Sequence, residues 1–381
     1  MLLKLAWLQL MAEKRRLLAA LAGIAFAVLL QLMQFGFRDA LFTSATVLYS
    51  HLNADLILAS SQYRYIALPG TLTRRRLAQT LAIPQVASVA PLYLGMAKFK
   101  NTETHQDRQV QVIAFNPNDD VLRVPGFAAN AASLKVPDLV LFDARSHPDF
   151  GPVARQVQTQ KLVTTEIEGH RVTIAGLFEL GVSFAATGHM VMGDQTFRRI
   201  FSRSEGVFEL GLIRLKPGSD VSAALAEIAQ RLPTDVTVTT REQFIEGEKA
   251  YWDRVSPIGF IFLMGSFIGL IVGAVIVYQI LYTDVTDHLA EYATLKAMGY
   301  SNRQFYLVVL EEALILSVFG FPIGYALSEL LYSAGRNATH LPLEMTATRA
   351  AVVFVLTVTT CALSGLLATR KLSAADPAEI F

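Results

Sequence analysis

Apolar and polar positions are segregated along this chain. Uncharged apolar runs occupy residues 17–35, 258–282 and 350–369. A fourth run, 305–331, is interrupted by Glu311, Glu312, Pro322 and Glu329, which leaves 313–328 without charge. A bilayer core of roughly 30 Å is crossed by about 20 apolar helical residues, so each run predicts one span, at 17–37, 258–282, 305–331 and 350–369. Residues 38–257 have the mixed pattern of a water-soluble domain. The expected fold is a membrane α-helical protein with four transmembrane helices and a large α+β extracytoplasmic domain between helices 1 and 2.

Charge at the span ends sets the expected orientation. Lys4, Lys14, Arg15 and Arg16 precede the first span and only Arg38 closely follows it, so the positive-inside rule puts the N-terminus in the cytoplasm. Four crossings then place 38–257 and the short loop 332–349 outside. The same count places 283–304 and the tail 370–381 in the cytoplasm. Arg370 and Lys371 read as interfacial anchors. A removable signal peptide is disfavoured, because Phe35-Gly36-Phe37-Arg38 offers no small-x-small cleavage site. Residues 1–16 read as an amphipathic helix on the membrane lipid, with Leu2, Leu5, Leu8 and Met11 on one face and Trp7 beside them.

In the large domain, helical periodicity at 39–52 and at 241–255 predicts two stalks that continue from the adjoining spans. Between them, strands are expected at 55–59, 86–99 and 109–115, with a helix at 72–82, forming one α+β half at about 53–124. A second half at about 204–240 combines strands at 208–215 and 236–240 with a helix at 221–232. The intervening stretch, about 125–203, is rich in turn signals and β-branched residues and reads as an inserted β-rich subdomain.

Composition narrows the function. Apolar residues are 52% of the chain, charged residues are 17% and the net charge is +1, which leaves no basic footprint for nucleic acid. No P-loop motif, zinc-binding histidine spacing or nucleophile elbow occurs, so no catalytic residue, metal ligand or cofactor is assigned to this chain. Asn116-Pro117-Asn118-Asp119-Asp120 lacks the glycine and distal glutamate of a calcium loop and reads as a turn. Cys361 is the single cysteine, which excludes an internal disulfide.

Three patterns remain. Glu311 and Glu312 fall in a predicted span, where a carboxylate at mid-bilayer costs about 2.5 to 3.5 kcal/mol. Either they make a helix contact that transmits movement, or they reach the interface. Gly265, Gly269 and Gly273 form one stripe, and Gly320 and Gly324 repeat its spacing; both suit close helix packing or a dimer interface. Residues 283–300 carry helix-start acids at Asp284 and Asp287, Lys296 near the end, a Gly299 stop, and an apolar edge of Val285, Leu289, Tyr292 and Leu295. Such a helix between two spans serves either as a lever for a partner protein or as a loop resting on headgroups.

The run from Glu291 through Tyr292, Ala293, Thr294, Leu295, Lys296, Ala297 and Met298 to Gly299 resembles the E-I-G-x-L-[RK]-A-x-G signature of the MacB/FtsX, or type VII ABC transporter, permeases. Glu312-Ala313-Leu314 with Gly320 and Gly324 resembles the pattern that follows it. His288 stands where many relatives carry arginine, and Tyr292-Ala293 replaces Ile-Gly. Trp7-Leu8-Gln9-Leu10 and Pro91-Leu92-Tyr93 look like the DevC subfamily. That resemblance implies a homodimeric permease of the inner (plasma) membrane, its large domain periplasmic, working with a DevA-like ABC ATPase that holds ATP and Mg, a DevB-like membrane-fusion adaptor and a TolC-like outer-membrane channel. It also implies a coupling helix at 283–304 that uses Asp287, His288, Glu291, Leu295, Lys296, Met298 and Gly299, with Glu312 relaying its movement. Within the superfamily, a lipoprotein-releasing permease and an FtsX-like regulator of a cell-wall hydrolase are the alternatives, and a ligand-sensing receptor is one from outside it.

Overall fold

The structure is a computed structural model that describes residues 14–160, 162–288, 291, 294, 296, 298 and 301–369. The chain separates into two compact units, one of residues 1–40, 258–339 and 343–381, the other of 41–257 and 340–342. In chain order, helix α1 (Lys14–Ala45) is followed by α2 (Val47–Ser50), β1 (Leu56–Ser60), β2 (Leu72–Thr73) and α3 (Arg74–Thr80). Then come β3 (Val86–Lys100), β4 (Asp107–Phe115), α4 (Phe127–Asn130), β5 (Leu139–Asp143) and α5 (Val153–Gln160). Next are β6 (Val163–Ile167), β7 (His170–Phe178), β8 (His189–Gly193), α6 (Asp194–Ile200), β9 (Val207–Phe208) and β10 (Leu210–Leu215). The series ends with α7 (Val221–Arg231), β11 (Val236–Thr240), α8 (Arg241–Ala250), α9 (Pro257–Asp287), α10 (Asn302–Thr339) and α11 (Ala347–Ala368).

The large domain is organised by one sheet of nine strands in the order β11-β1-β10-β3-β4-β8-β5-β7-β6. Strand β3 is 15 residues long. Its first part, through Leu92, pairs with β10, and Tyr93 onward pairs with β4. A further bridge from Phe99 to Ile167 joins β3 to β6, so six strands curl into a ring while the other three continue as an open sheet. The stretch expected as an inserted β-rich subdomain, about 125–203, supplies four of the six strands of that ring. That stretch contains α4, α5 and α6 as well as β5 to β8, and its strands share a sheet with β3 and β4. A single long strand that serves both parts leaves no compositional break to read.

Burial follows strand alternation. On β1, Leu56 and Leu58 join the core that includes Leu77 of α3 and Ile228 of α7. Ile57 and Ala59 join the opposite core, with Leu48, Tyr49 and Phe244. Hence β1 is buried at all five positions. The hairpin β6–β7 turns at Glu168 (φ 48) and Gly169 (φ 76), the two left-handed positions that a two-residue turn of matching twist requires.

Among the described residues, four helices are long and apolar enough to cross a membrane: α1, α9, α10 from Arg303, and α11. Ile24, Val28 and Leu32 of α1 share a core with Val277 and Leu281 of α9, Ala313 and Leu316 of α10, and Val353 and Cys361 of α11. Helix α10 runs through Pro322 and on to Thr339, so the loop expected at 332–349 is helical over its first half. At this end Arg349 donates to Asp39 Oδ2 (2.7 Å) and to the Glu344 carbonyl (2.6 Å), which ties α11 to α1 and to the preceding loop. Ser364 Oγ donates to the Ala274 carbonyl (3.1 Å), joining α11 to α9.

Candidate functional site

The segment that follows the second span begins later than its charge pattern suggests. Thr283 to Asp287, expected to open the coupling helix, are the last turn of α9. Thr283 and Thr286 donate their hydroxyls to the Gln279 and Tyr282 carbonyls at 2.9 and 2.7 Å. Their polarity is absorbed within the helix and no break is forced. Asp287, still half-exposed, pairs with Arg16 of α1, which also reaches Asp284 at 3.5 Å. His288 Nδ1 lies 3.0 Å from the Asp284 carbonyl.

Past this clasp, Glu291, Thr294 and Lys296 are helical, and the Met298 amide donates to the Thr294 carbonyl at 3.1 Å. Glu291 is exposed and Met298, in a turn, is 64% exposed, so the segment after α9 presents one acidic and one apolar side chain to its surroundings. Leu295 and Gly299 lie outside the described residues, together with Leu289, Tyr292, Ala293 and Ala297. The same is true of Trp7 and the rest of 1–13, and of the tail 370–381. Helix α10 begins where the Ser301 amide donates to Gln304 Oε1 at 2.8 Å, half of a capping box.

Glu311 and Glu312 diverge. Glu312 is fully enclosed, with Asp284 of α9 as its charged neighbour, whereas Glu311 is half-buried. The acid pair from α9 and α10 therefore sits directly behind the Arg16 clasp.

The glycine stripes meet α1 of the same chain. A Cβ on Gly265 would lie 2.5 Å from Gln34 Nε2, on Gly269 3.2 Å from Gln31 Nε2, and on Gly273 2.8 Å from the Ala27 Cβ. On α10, a Cβ on Gly320 would fall 2.7 Å from Ile24 Cγ2, and on Gly324 2.6 Å from the Ala25 carbonyl oxygen. Both stripes pack closely against the first span, as helix-packing glycines do. The close approach places Gln31, 6% exposed, where its Nε2 donates to the Ser266 carbonyl at 2.8 Å.

A second cluster, in the large domain, was not anticipated. Glu248 of α8 is 2% exposed and accepts from Tyr63 Oη (2.6 Å), the Ile66 amide (3.1 Å) and Trp252 Nε1 (3.1 Å). Burial raises its pKa above the usual carboxylate value, and the three donors oppose that shift. Burial likewise holds the hydroxyls of Tyr49 and Tyr63 well above the ordinary tyrosine range. The signal available in the sequence was an acid at the middle of the i, i+4, i+8 series Phe244, Glu248, Trp252. After α8 the chain widens into a π turn at Tyr251–Val255, a feature that often marks functional positions. Tyr251 stacks on Tyr65 (5.0 Å, 12°).

Beside this cluster a groove of about 470 Å³ opens between β1, β11, α8 and the π turn. Phe244, Gly247, Tyr251 and Val255 supply its apolar lining, and Arg64, Thr239 and Arg254 supply polar groups. Farther along the sheet, Glu209 is 1% exposed. Burial pushes its pKa up to about 6, against the Leu94 amide (3.1 Å) and the Arg203 guanidinium (3.1 Å).

Among the described residues no group of histidine, cysteine and carboxylate side chains could hold a metal ion. Residues 17–231 match the MacB-like periplasmic core domain family, and 263–377 match the FtsX-like permease C-terminal family. The chain resembles the periplasmic region of MacB from Actinobacillus actinomycetemcomitans at 7% identity and a TM-score of 0.34, covering 51% of this chain and 92% of that one. The extracellular domain of the ABC-type transporter YknZ from Gram-positive bacteria aligns at 12% identity and 0.34, covering 49% and 98%. A permease domain from Porphyromonas gingivalis aligns at 17% and 0.32, covering 49% and 89%. A comparison with curated proteins finds no match. The assignment rests on the two family matches, which follow one another along the chain, the first alone covering more than half of it. The chain belongs to the MacB/FtsX family of ABC permeases.

Proposed function

We propose that this chain is the permease subunit of a tripartite exporter. A separate ABC ATPase of the DevA type binds ATP and magnesium on the cytoplasmic side. Two copies of this chain carry its movement across the inner membrane. The periplasmic domains then move cargo toward a DevB-like adaptor and a TolC-like channel. The permease performs no chemistry in this reading.

The observation that carries the proposal is the continuity of α9. One unbroken helix of 31 residues takes up the chain directly after the π turn of the returning stalk and leads into the exposed turn that bears Glu291 and Met298. A helix of that length is stiff along its axis, so displacement at one end is transmitted to the other. The Arg16 contacts to Asp284 and Asp287 make α1 move with it. Glu291 and Met298 supply the contact with the ATPase, and Glu312, enclosed beside Asp284, carries the movement into α10.

Glu291→Lys reverses the charge at that contact. With ATPase and adaptor co-expressed, the variant is expected to keep wild-type amounts of membrane-inserted protein and adaptor co-purification while losing stimulation of ATP hydrolysis at least tenfold. Normal stimulation by the variant would remove this role from the segment, and failure of any adaptor to co-purify with wild type would remove the tripartite assembly.

A further inference from the structure

We propose that the groove beside the returning stalk binds an anionic amphiphile drawn from the outer leaflet of the membrane, its acidic head group held by Arg64 and Arg254 and its apolar part lying along Phe244, Gly247 and Val255. This rests on the export reading and names the cargo class.

At about 470 Å³ the groove is within the range of small-molecule sites, enough for a head group and the first part of a chain. Its chemistry is divided in the way an amphiphile requires. Arg64 and Arg254 are both exposed and both line it, and neither forms an ion pair with a carboxylate among the described residues. The carboxylate in the lining, Glu248, is buried and pairs with neither arginine; its oxygens are engaged by Tyr63, the Ile66 amide and Trp252. With two exposed guanidinium groups against one buried carboxylate, the lining is positive on balance and its arginines are available to an anion. Thr239, also in the lining, has a buried hydroxyl oxygen without a hydrogen-bond partner. Such a group is costly to leave unmatched, and a polar atom of a ligand would satisfy it.

The apolar side is equally specific. A Cβ built on Gly247 meets nothing within 4 Å, so this turn of α8 opens onto empty space where a side chain would ordinarily pack. Val255, 67% exposed, sits beside Arg254. Two residues later the apolar helix α9 begins at Pro257, so chain continuity alone brings this end of the groove close to the point where the protein enters lipid. An apolar surface with a cationic rim at that point suits a lipid with an acidic head.

The test uses the full chain in neutral maltoside micelles, without ATPase or adaptor, in a Trp7→Phe background so that Trp252, whose indole binds Glu248 of the lining, is the reporter. Spin-labelled phosphatidylglycerol is expected to quench saturably, at least tenfold more tightly than spin-labelled phosphatidylcholine. The Arg64→Gln/Arg254→Gln pair, both at exposed positions, should bring the two lipids together. Gly247→Leu should abolish saturable quenching while leaving thermal unfolding intact, since the added side chain has open space and glycine is a poor helix former. Equal affinities for the two lipids in the parent chain, or unaltered binding by both variants, would overturn the proposal. Displacement of the labelled lipid by millimolar inorganic phosphate would overturn it too, by assigning the arginines to a free anion. Because Glu291→Lys reports on ATPase coupling and this titration contains no ATPase, loss of one result leaves the other standing.

Discussion

Tyr63 donates a hydrogen bond to Glu248 at 2.6 Å across 185 positions of sequence, and its hydroxyl lies 2.8 Å from that of Tyr49. Tyr49 belongs to α2, just after the outgoing helix, and Glu248 to α8, on the way back. The ring of Phe244 fills the space between them, 4.9 Å from both tyrosines. The two stalk segments are thus pinned to each other through the loop that carries Tyr63, and under the proposed mechanism they move as one body.

Removing the acceptor should loosen that joint. Glu248→Ala strands three donors in a buried site and should cost about 2 to 4 kcal/mol, whereas Glu248→Gln, which still accepts through one oxygen, should cost less. Chemical denaturation followed by Trp252 fluorescence checks both; equal midpoints for wild type and the alanine variant would refute the joint.

Glu209 makes stability depend on pH. Its pKa in the folded domain is raised to about 6, above the ordinary value near 4.3. Its stabilising contribution is therefore fully present below the unfolded value and is lost as pH rises through 6. The domain should gain about 2 kcal/mol from this residue between pH 7 and pH 4. Glu248 acts in the same direction, so Glu209→Gln should flatten part of the gain. Denaturation midpoints at the two pH values measure it, and an unchanged slope in the variant would contradict the assignment.

The two glycine stripes should not respond alike. At Gly324 an added Cβ would meet the Ala25 carbonyl oxygen at 2.6 Å and the Val28 Cβ at 2.7 Å, whereas at Gly269 its nearest neighbour is the end of a glutamine side chain at 3.2 Å. Backbone cannot yield as a flexible amide can, so Gly324→Ala should lower thermal stability in detergent by more than Gly269→Ala. The reverse order would show that α1 does not pack as described.

Arg349 is 8% exposed and its guanidinium serves Asp39 and the Glu344 carbonyl together. Arg349→Lys keeps the charge but not the planar fork and should cost about 1 to 2 kcal/mol. Arg349→Gln should cost more. Resistance of the detergent-solubilised protein to thermal aggregation ranks them; indistinguishable variants would mean that the fork geometry is unimportant.

The membrane spans were legible in the sequence because their signal is local. An uncharged run such as 258–282 has one favourable solvent, whatever the rest of the chain does. Helix α7 was legible for the same reason: Ala224, Leu225 and Ile228 define its face, and Asp220 caps its start, accepting from the Ser222 amide at 2.8 Å. Asp284 and Asp287 misled, because an acid that opens a helix and an acid at the end of one that pairs with a distant arginine look the same in sequence. Glu248 carries no comparable local signal, since two of its three donors, Tyr63 and the Ile66 amide, come from a loop 185 and 182 positions away.

By itself the sequence determined how many helices cross the membrane, that a mixed domain lies between the first two, and which family signature follows the second, all properties of contiguous residues. Tertiary structure alone decided that Phe99 meets Ile167 to close six strands into a ring, that Ala25 and Val28 fill the notch at Gly324, and that Arg16 takes up Asp287. Periodicity shows which face of an element is apolar or small. It carries no information about what stands opposite, because the partner is chosen by the packing of residues hundreds of positions away.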